Sequence, residues 1–313
     1  MIKPALAFAC GDPGGVGPEI AVKAMRDARV RRVCRPIAVG PRSVWLAAGW
    51  TPGVCELSPW GSDVKSPRGR PTAAGGRISY DVFKRCLTLS ARGVIDGMVS
   101  APVSKTAWRA AGIKTPDQTA LIARETGAKR IGMMIAAGGL RAVLATRHVS
   151  HAGVPAVLSG AAISEAAHLA SEALSDGLGV RRPRLGMCAL NPHGGENGLL
   201  GREEKTIIKP SAVRLRREGL RIEGPLPADA AWSAHAAGKY DALVAMYHDQ
   251  VLIPLKLTAG LSLVNWTIGA PVIRTAPGHG TAYDIAGRGH ADASGMIAAA
   301  LFAADIFKAR RKK

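Results

Sequence analysis

The sequence predicts an α/β protein, because short apolar runs typical of buried strands alternate with segments of helical periodicity along the chain. Hydrophobic residues make up 47% of the sequence and aromatic residues only 4%, so the core must be built mainly from Ala, Val, Leu and Ile. With 313 residues, the chain is long enough for two domains or for one large domain.

The first part of the chain predicts a strand, a Gly/Pro-rich turn, a helix, two further strands and a surface loop. In that order these elements cover Ala5–Cys10, residues 11–18, the residues from Glu19 onward, Pro36–Val39, Asp96–Ser100 and residues 60–77.

From Ile131 onward the pattern predicts a hairpin followed by alternating helices and strands. The hairpin strands, Ile131–Ala137 and Leu140–Thr146, are separated by two glycines. The later elements are a helix over Ala161–Leu174, a strand over Leu185–Leu190, a helix over Glu203–Glu218, a strand over Ala242–Met246, an interrupted strand over Val264–Ile273 and an Ala-rich helix over Ser294–Lys308.

The net charge of +19, from 42 basic and 23 acidic residues, is compatible with a nucleic-acid-binding protein, which we keep as the alternative from another functional class. However, Lys and Arg are dispersed, apart from clusters at Arg31-Arg32, Arg214–Arg217 and Lys308–Lys313. No aromatic interleaving, helix-turn-helix signature or basic repeat accompanies them. Attraction of an anionic substrate and a compositionally basic proteome explain the charge more simply.

The location expected from the sequence is the cytoplasm, without a membrane partner. No apolar stretch approaches the roughly 20 residues of a membrane-spanning helix, and the start of the chain has too few apolar residues for a signal peptide. The five cysteines are odd in number and form no C-x-x-C pair. This usage favours free, buried thiols in a reducing compartment.

Three histidines, His148, His193 and His248, each follow an apolar run that predicts a strand. Ligands of open α/β sheets bind outside the carboxyl ends of strands, and imidazole is the commonest metal ligand in proteins. Three histidines at one edge of a sheet therefore predict an open metal site, suited to catalysis rather than to a closed structural role. Asp249 could orient an imidazole or act as an acid–base group. His151 could replace His148 as a ligand if its segment were helical.

Three further polar residues, Lys256, Asn265 and Arg274, lie in or beside apolar runs that predict strands. Buried cations need a partner, and a carboxylate or phosphate of a substrate would supply one, as would an ordinary salt bridge. The Gly-rich turn at residues 11–18 could cradle an anion. It lacks the G-x-G-x-x-G order and the Walker lysine, so a plain tight turn is equally compatible.

Four motifs, in this order, resemble the 4-hydroxythreonine-4-phosphate dehydrogenase family of pyridoxal phosphate synthesis, and the match extends along nearly the whole chain. They are Gly11-Asp12-Pro13-Gly14-Gly15-Val16-Gly17-Pro18-Glu19, Asn191-Pro192-His193-Gly194-Gly195-Glu196, Met246-Tyr247-His248-Asp249-Gln250 and Gly278-His279-Gly280-Thr281-Ala282. The resemblance implies the two-domain α/β fold of isocitrate and isopropylmalate dehydrogenases, with a cleft between the domains. We expect a first domain of residues 1–128 and 282–313 and a second of residues 129–281, which would carry most metal and substrate residues.

The resemblance also implies a homodimer whose active site is shared between the subunits. A divalent metal is held there by three histidines drawn from both subunits, and these match His148, His193 and His248. His151 falls where the family usually has Leu, so the resemblance excludes it as a ligand. Substrate contacts carry over to Lys256, Asn265 and Arg274.

The chemistry implied by the resemblance is oxidation of an alcohol on a metal that lowers the pKa of the hydroxyl, with hydride passing to NAD or NADP. In the family, the resulting 3-oxo acid then loses its carboxylate. Asp249 and Asp229 are candidates for acid–base catalysis or for orienting a metal ligand, and Lys105, which matches a lysine of a family loop expected at the cleft, is a further catalytic candidate. The sequence identifies no cofactor-binding residue and leaves open NAD or NADP. The metal could be Zn, Mg, Mn or Co, although three histidines favour Zn over Mg.

The chain departs from the family where Gly-His-Thr-Glu appears as Asp117-Gln118-Thr119-Ala120. Thr119 is retained as a substrate-binding candidate, whereas Gln118 can donate a hydrogen bond but cannot carry charge. Relatives oxidise four-carbon sugar-acid phosphates or cis-dihydrodiols of aromatic carboxylates such as terephthalate. The diol enzymes lack the Asn and Arg that match Asn265 and Arg274. We therefore expect 4-hydroxythreonine-4-phosphate or a close phosphorylated hydroxy acid as substrate, with a non-phosphorylated diol carboxylate as the alternative.

Overall fold

The computed structural model describes residues 2–61 and 68–312, so residues 62–67 of the predicted surface loop lie outside the described part. The predicted α/β class is confirmed, with strands and helices alternating along the chain. The strands are β1 (Ala5–Ala9), β2 (Arg35–Gly40), β3 (Glu56–Pro59), β4 (Gly97–Ser100), β5 (Gly132–Ala137), β6 (Leu140–Leu144), β7 (Arg184–Cys188), β8 (Arg221–Leu226), β9 (Ala242–Ala245), β10 (Val264–Ile268) and β11 (Arg274–Pro277).

The helices alternate with these strands, and several of them are extended by short 3₁₀ or π turns, including a π turn at Glu204–Ile208. Within residues 2–61 and 68–312, none of the helices is both long enough and apolar enough to span a membrane. They are α1 (Gly17–Arg26), α2 (Ala28–Val33), α3 (Arg42–Ala47), α4 (Ala73–Ala91), α5 (Lys105–Ala110), α6 (Gln118–Thr126), α7 (Val154–Val157), α8 (Gly160–Glu172), α9 (Lys209–Arg217), α10 (Ala228–Ala236), α11 (Asp249–Ala259) and α12 (Ser294–Arg310).

The chain forms two compact units, and the first comprises Met1–Lys129 and Leu261–Arg311. Its strands lie in the order β3-β2-β1-β4-β11-β10. All neighbours in this series are parallel except β10 and β11. Every residue of β1 is buried, as expected for a central strand covered on both faces.

The boundary between the units differs from the prediction at the point where the chain returns to the first unit. We expected the chain to return to the first domain at residue 282, whereas residues 261–281 already belong to the first unit. The reason is strand pairing: β11 lies parallel to β4, and β10 pairs with β11. Hydrogen bonding to the sheet therefore assigns this segment to the first unit.

The second unit, Arg130–Gly260, contains the strands β5-β6-β9-β7-β8. β5 and β6 form the predicted antiparallel hairpin, whereas β6, β9, β7 and β8 run parallel to their neighbours. Crossover helices separate these parallel strands in the sequence. The carboxyl ends of β6, β9 and β7 consequently lie at the same edge of the sheet.

One sequence expectation about local structure was wrong and another was confirmed. The predicted loop at residues 60–77 ends earlier, because α4 begins at Ala73 with the Thr72 hydroxyl accepting a hydrogen bond from the Gly75 N–H (3.0 Å). The predicted interruption of the strand-like run Val264–Ile273 is present, since β10 ends at Ile268 and a turn precedes β11. The Gly-Ala-Pro segment interrupts hydrogen bonding there, since proline has no N–H to donate.

A buried histidine, His235, connects α10 to the β5–β6 hairpin of the second unit. Its Nε2 accepts from the Arg141 N–H (2.8 Å) and its Nδ1 donates to the Tyr240 carbonyl (2.9 Å), so the ring is neutral. Burial lowers the pKa of His235, because the charged ring would be poorly solvated. Protonation of Nε2 would also remove the hydrogen bond from Arg141.

We therefore predict that the free energy of unfolding falls as the pH decreases from about 6.5, the pKa of an unfolded histidine. Between that value and the lower pKa of folded His235, the unfolded chain binds the extra proton. The loss is at most about 1.4 kcal/mol per pH unit. Urea titrations between about pH 5 and pH 7 should show this slope in the unsubstituted protein and in the exposed-site control His290→Gln, but reduced in His235→Gln. Equal slopes in all three proteins would contradict the prediction.

Candidate active site

The three predicted histidines follow neighbouring strands of the second unit. His148 lies beyond the end of β6, His193 beyond β7, and His248 between β9 and α11. Because β6, β9 and β7 are parallel and adjacent, the segments that follow them leave the sheet at one edge. This edge is where ligands bind in open α/β sheets.

His148 and His248 lie side by side, with their ring centroids 6.0 Å apart. Both line a cavity of about 190 Å³. The Nδ1 of His248 is 2.6 Å from Oδ1 of Asp249, so the carboxylate orients the ring. This arrangement leaves Nε2 of His248 as the nitrogen that could bind a metal, as in carboxylate–histidine–metal sites.

His193 lines a second cavity, of about 440 Å³, together with Asp229. Tyr247 and His151 line both cavities, so the two are adjacent. In the part of the chain that the structure describes, no group of three or more His, Cys, Asp or Glu side chains is placed to hold a metal ion. One chain therefore brings His148 and His248 together but does not add His193 to them.

Two of the three histidine-bearing segments, those of His148 and His193, contain backbone in the left-handed region. His148 has φ 50°, and five consecutive residues, His193–Asn197, have φ between 42° and 76°. Non-glycine residues rarely adopt this conformation. Such conformations persist only where surrounding contacts enforce them, and they cluster at functional sites.

In the first unit, Arg274 is the first residue of β11 and is 3% exposed. Its Nε donates to the Ser100 hydroxyl (2.9 Å), Nη1 to the Thr267 hydroxyl (3.1 Å) and Nη2 to Oε1 of Gln118 (2.6 Å). All three acceptors are neutral. Burial lowers the pKa of Arg274 to about 10, an effect that Asp117 partly offsets. Arg274 thus remains a buried cation at neutral pH.

Gln118 is the first residue of α6 and uses its carbonyl oxygen on Arg274. Its buried Nε2 has no hydrogen-bond partner among residues 2–61 and 68–312. Asp117 caps the same helix, accepting from the Ala120 N–H (2.9 Å), and Thr119 is half-buried in its first turn. A buried cation beside an unused amide donor is a site that favours an anion.

The other predicted residues are distributed between the units. Lys105 is exposed at the start of α5 and Asn265 is half-buried on β10, both in the first unit. Lys256 is exposed on α11 of the second unit, so the expectation that it lies in or beside a strand was wrong. The run that contains it is apolar because one face of α11 is buried. Substrate candidates Asn265 and Arg274 belong to the first unit, not the second as expected, because β10 and β11 join the sheet of β4.

The Gly-rich turn at residues 11–18 is stabilised from within. Buried Asp12 accepts from the Gly14 N–H (2.9 Å) and from the Tyr283 hydroxyl (2.7 Å). Burial raises the pKa of Asp12, although these hydrogen bonds act against the rise. The Val16 N–H donates to the Thr281 carbonyl (2.9 Å), which joins this turn to the Gly278–Ala282 motif. Because Asp12 already uses the Gly14 N–H, these contacts favour a structural turn over an anion cradle.

Two further residues lie around the histidines: His151, which the sequence suggested only as an alternative ligand, and Gln250, to which it assigned no role. His151 packs edge-to-face on Tyr247, with ring centroids 5.2 Å apart, and forms part of both cavity walls. Gln250 is buried, accepts from the Met246 N–H (2.8 Å) and donates to the Ala189 carbonyl (2.7 Å). The available signal for Gln250 was its place in the family motif directly before the apolar residues Val251 and Leu252.

Comparison with solved structures establishes the fold group. The isocitrate dehydrogenase from Methylococcus capsulatus superimposes with a TM-score of 0.51 at 16% identity, covering 95% of this chain and 83% of that one, a likeness that concerns the fold alone. The 4-hydroxythreonine-4-phosphate dehydrogenase from Klebsiella pneumoniae gives a TM-score of 0.85 at 30% identity, covering 97% and 98%. A terephthalate 1,2-cis-dihydrodiol dehydrogenase from Burkholderia xenovorans gives 0.65 at 33%, covering 95% and 96%.

These likenesses define the chain as a dehydrogenase of the isocitrate dehydrogenase-like fold, as predicted. The model of the family described as pyridoxal phosphate biosynthetic protein PdxA matches residues 34–303. The 4-hydroxythreonine-4-phosphate dehydrogenase of Geobacter metallireducens is 39% identical over 330 aligned positions, covering 98% of this chain and 97% of the relative. The chain belongs to the PdxA family. As a dehydrogenase, it requires a nicotinamide cofactor as hydride acceptor.

We predict that inorganic phosphate binds the Arg274–Gln118 site and stabilises the folded protein. At ten times its dissociation constant, a ligand of the folded state alone contributes about 1.4 kcal/mol. Thermal unfolding with increasing phosphate should show a rising midpoint in the unsubstituted protein and in the exposed-arginine control Arg288→Met. The rise should be lost in Arg274→Met. A rise of equal size in Arg274→Met would show that phosphate binds elsewhere.

Proposed function

We propose that this protein oxidises the secondary alcohol of 4-hydroxythreonine-4-phosphate, or of a close phosphorylated hydroxy acid, with NAD or NADP and subsequent decarboxylation of the 3-oxo acid. Family membership supports this reaction, since relatives with that name match nearly the whole chain. The single observation that carries the substrate class is Arg274, a buried cation whose hydrogen-bond acceptors are all neutral.

An anionic group of the substrate would complete the Arg274 site. A buried charge whose hydrogen-bond acceptors are all neutral is costly even with the Asp117 carboxylate partly offsetting the burial, and an approaching anion recovers part of that cost. The unused Nε2 of Gln118 would donate to the same anion. The diol enzymes lack the residues that match Asn265 and Arg274, so the presence of both in this chain favours a phosphorylated substrate over a diol carboxylate. The other substrate contacts we propose are Thr119 and Lys256.

We propose that His148 and His248 hold a divalent metal together with His193 of a second subunit. The donors fit such an ion: two imidazoles lie side by side, and a carboxylate engages the far nitrogen of one of them. Imidazole ligands favour Zn, with Co, Mn and Mg as alternatives. When bound, a divalent metal acts as a Lewis acid that makes an alcohol easier to deprotonate.

We propose that three side chains of this chain donate or accept protons or orient a group at the site. Asp249 orients His248 through Nδ1. Asp229 lies in the wall of the cavity that His193 also lines, which supports the proposal that its carboxylate accepts a proton from the bound alcohol. Lys105 is exposed at the start of α5 and is the remaining acid–base candidate.

A homodimer is proposed because apolar side chains are exposed close to the histidines. Ile253 and Leu257, one turn apart on α11, are 58% and 82% exposed, and Leu199, just after the His193 loop, is 83% exposed. Such side chains in proximity are typical of subunit contacts. We propose that this protein works in the cytoplasm, since its five cysteines are all free thiols, as a reducing compartment maintains them.

The test is reduction of NAD and NADP by the metal-supplemented protein with three substrates in parallel: 4-hydroxythreonine-4-phosphate, phosphoerythronate and terephthalate cis-dihydrodiol. We expect turnover with a phosphorylated substrate, abolished by a chelator and restored by Zn²⁺ or another of the divalent ions. Turnover of the unphosphorylated diol alone would overturn the proposal.

For Asp249→Asn we predict weaker binding of Zn²⁺, because the amide cannot polarise the His248 ring as a carboxylate does. Loss of such a partner typically lowers metal affinity about 10–100-fold. Competition with a chromophoric chelator should show this decrease, whereas the exposed control Asp305→Asn should bind Zn²⁺ as the unsubstituted protein does. Unchanged affinity in Asp249→Asn would argue against His248 as a ligand.

A further inference from the structure

The loop that carries His193 has a backbone that cannot be explained by its own residues. His193–Asn197 are all left-handed, and three of these five are not glycine. Isolated left-handed residues are tolerated, but consecutive ones are unfavourable for L-amino acids. Contacts from outside the loop must therefore stabilise this conformation.

Glu204, in the π turn before α9, holds the residues that lead into this loop. Its Oε1 accepts from the backbone N–H groups of Leu190 and Asn191, each at 2.8 Å, and its Oε2 accepts from Nδ2 of Asn191 at 2.9 Å. Asn191 also donates through Nδ2 to Glu203 (2.8 Å). Glu204 is 6% exposed, so these bonds are formed away from water, where they are strongest.

The left-handed run approaches Glu204 closely at Gly195. A Cβ at Gly195, inside the left-handed run, would lie 2.6 Å from Oε2 of Glu204. On the other side, Nε2 of Gln250 donates to the Ala189 carbonyl. The three residues before Pro192 are thus held through their backbone by Gln250 and Glu204.

We propose that Glu204 is a positioning residue, which holds the His193 loop in the conformation that presents the imidazole for metal binding. The inference rests on the proposed function, because it takes His193 as a metal ligand. Glu204 itself touches neither metal nor substrate in this role. It acts through Asn191 and the backbone of the loop.

Only a group that accepts at both of its oxygens can form all of these hydrogen bonds, because every group that faces Glu204 in this cluster is a donor. Burial raises the pKa of Glu204, but the hydrogen bonds from Asn191 and Leu190 outweigh it and lower the pKa overall. A glutamine has the same shape but brings an NH₂ group toward Nδ2 of Asn191. Two donors would then face each other, and Asn191 cannot turn its oxygen around without facing Glu203.

The experiment compares Glu204→Gln with the matched control Glu203→Gln, whose amide can rotate to keep accepting from Asn191. Amide hydrogen exchange is measured across residues 190–200 of the full-length protein, and Zn²⁺ affinity is measured by chelator competition at a temperature where both variants are folded. We expect Glu204→Gln to show exchange at least tenfold faster at Leu190 and Asn191, and Zn²⁺ affinity at least tenfold weaker. The absorption spectrum of the Co²⁺-loaded protein should change as well. Glu203→Gln should show smaller changes in all three measurements.

The outcomes separate this inference from the proposed function. Faster exchange with unchanged Zn²⁺ affinity and Co²⁺ spectrum would leave Glu204 a purely structural role and overturn the inference. Unchanged exchange would overturn it as well. If the unsubstituted protein binds no Zn²⁺, the proposed metal site fails, and exchange alone decides whether Glu204 holds the loop. If Glu204→Gln does not fold, Gly195→Ala disturbs the same contact from the loop side and is expected to give the same pattern.

Discussion

The parallel pairing of β6, β9 and β7 is the constraint on which the histidine-bearing edge depends. Parallel strands place their carboxyl ends together, and side chains then connect those ends. The Thr146 hydroxyl donates to the Met246 carbonyl (2.7 Å), tying the end of β6 to the end of β9. Gln250 ties β9 to β7 through Met246 and Ala189. The segments that lead to His148, His193 and His248 therefore begin at strand ends that side-chain hydrogen bonds join to one another. The left-handed residues lie further along, in the loops of His148 and His193.

The two units contribute different chemistry. The second unit holds histidines and carboxylates on loops that follow parallel strands, an arrangement suited to binding a metal and moving protons. The first unit holds the buried cation Arg274 on a strand, where neighbouring strands and α6 supply neutral oxygens. A cation on a rigid strand holds a substrate anion in one place.

Much of this could be predicted from the sequence, because the relevant signals are local. Apolar runs ending at His148, His193 and His248 predicted β6, β7 and β9, and two glycines between apolar runs predicted the β5–β6 hairpin. What could not be predicted depends on tertiary pairing. Lys256 lies within an apolar run that folds as a helix, since burial of one face does not distinguish helix from strand over so few residues.

The same limit applies to the boundary between the units and to the residues that support the site. Nothing local in residues 261–281 indicates that they pair with β4, since strand partners are chosen by the whole sheet. Glu204 lies within a predicted helix and Gln250 within a family motif, yet their roles depend on donors and acceptors that only the folded chain brings to them. The family motifs therefore indicated which segments to expect at the active site, and the hydrogen bonds show how those segments are held in the fold.

Gln118 is the clearest case in which a departure from the family pattern has a physical meaning. Its amide has both an acceptor and a donor: Oε1 accepts from Arg274, and the buried Nε2 remains for another group. A histidine could perform both tasks only as one neutral tautomer, because the protonated ring has no acceptor. Its protonation would also place a second cation against Arg274. With glutamine at this position and the pKa of Arg274 at about 10, the charge of this anion site does not change across neutral pH.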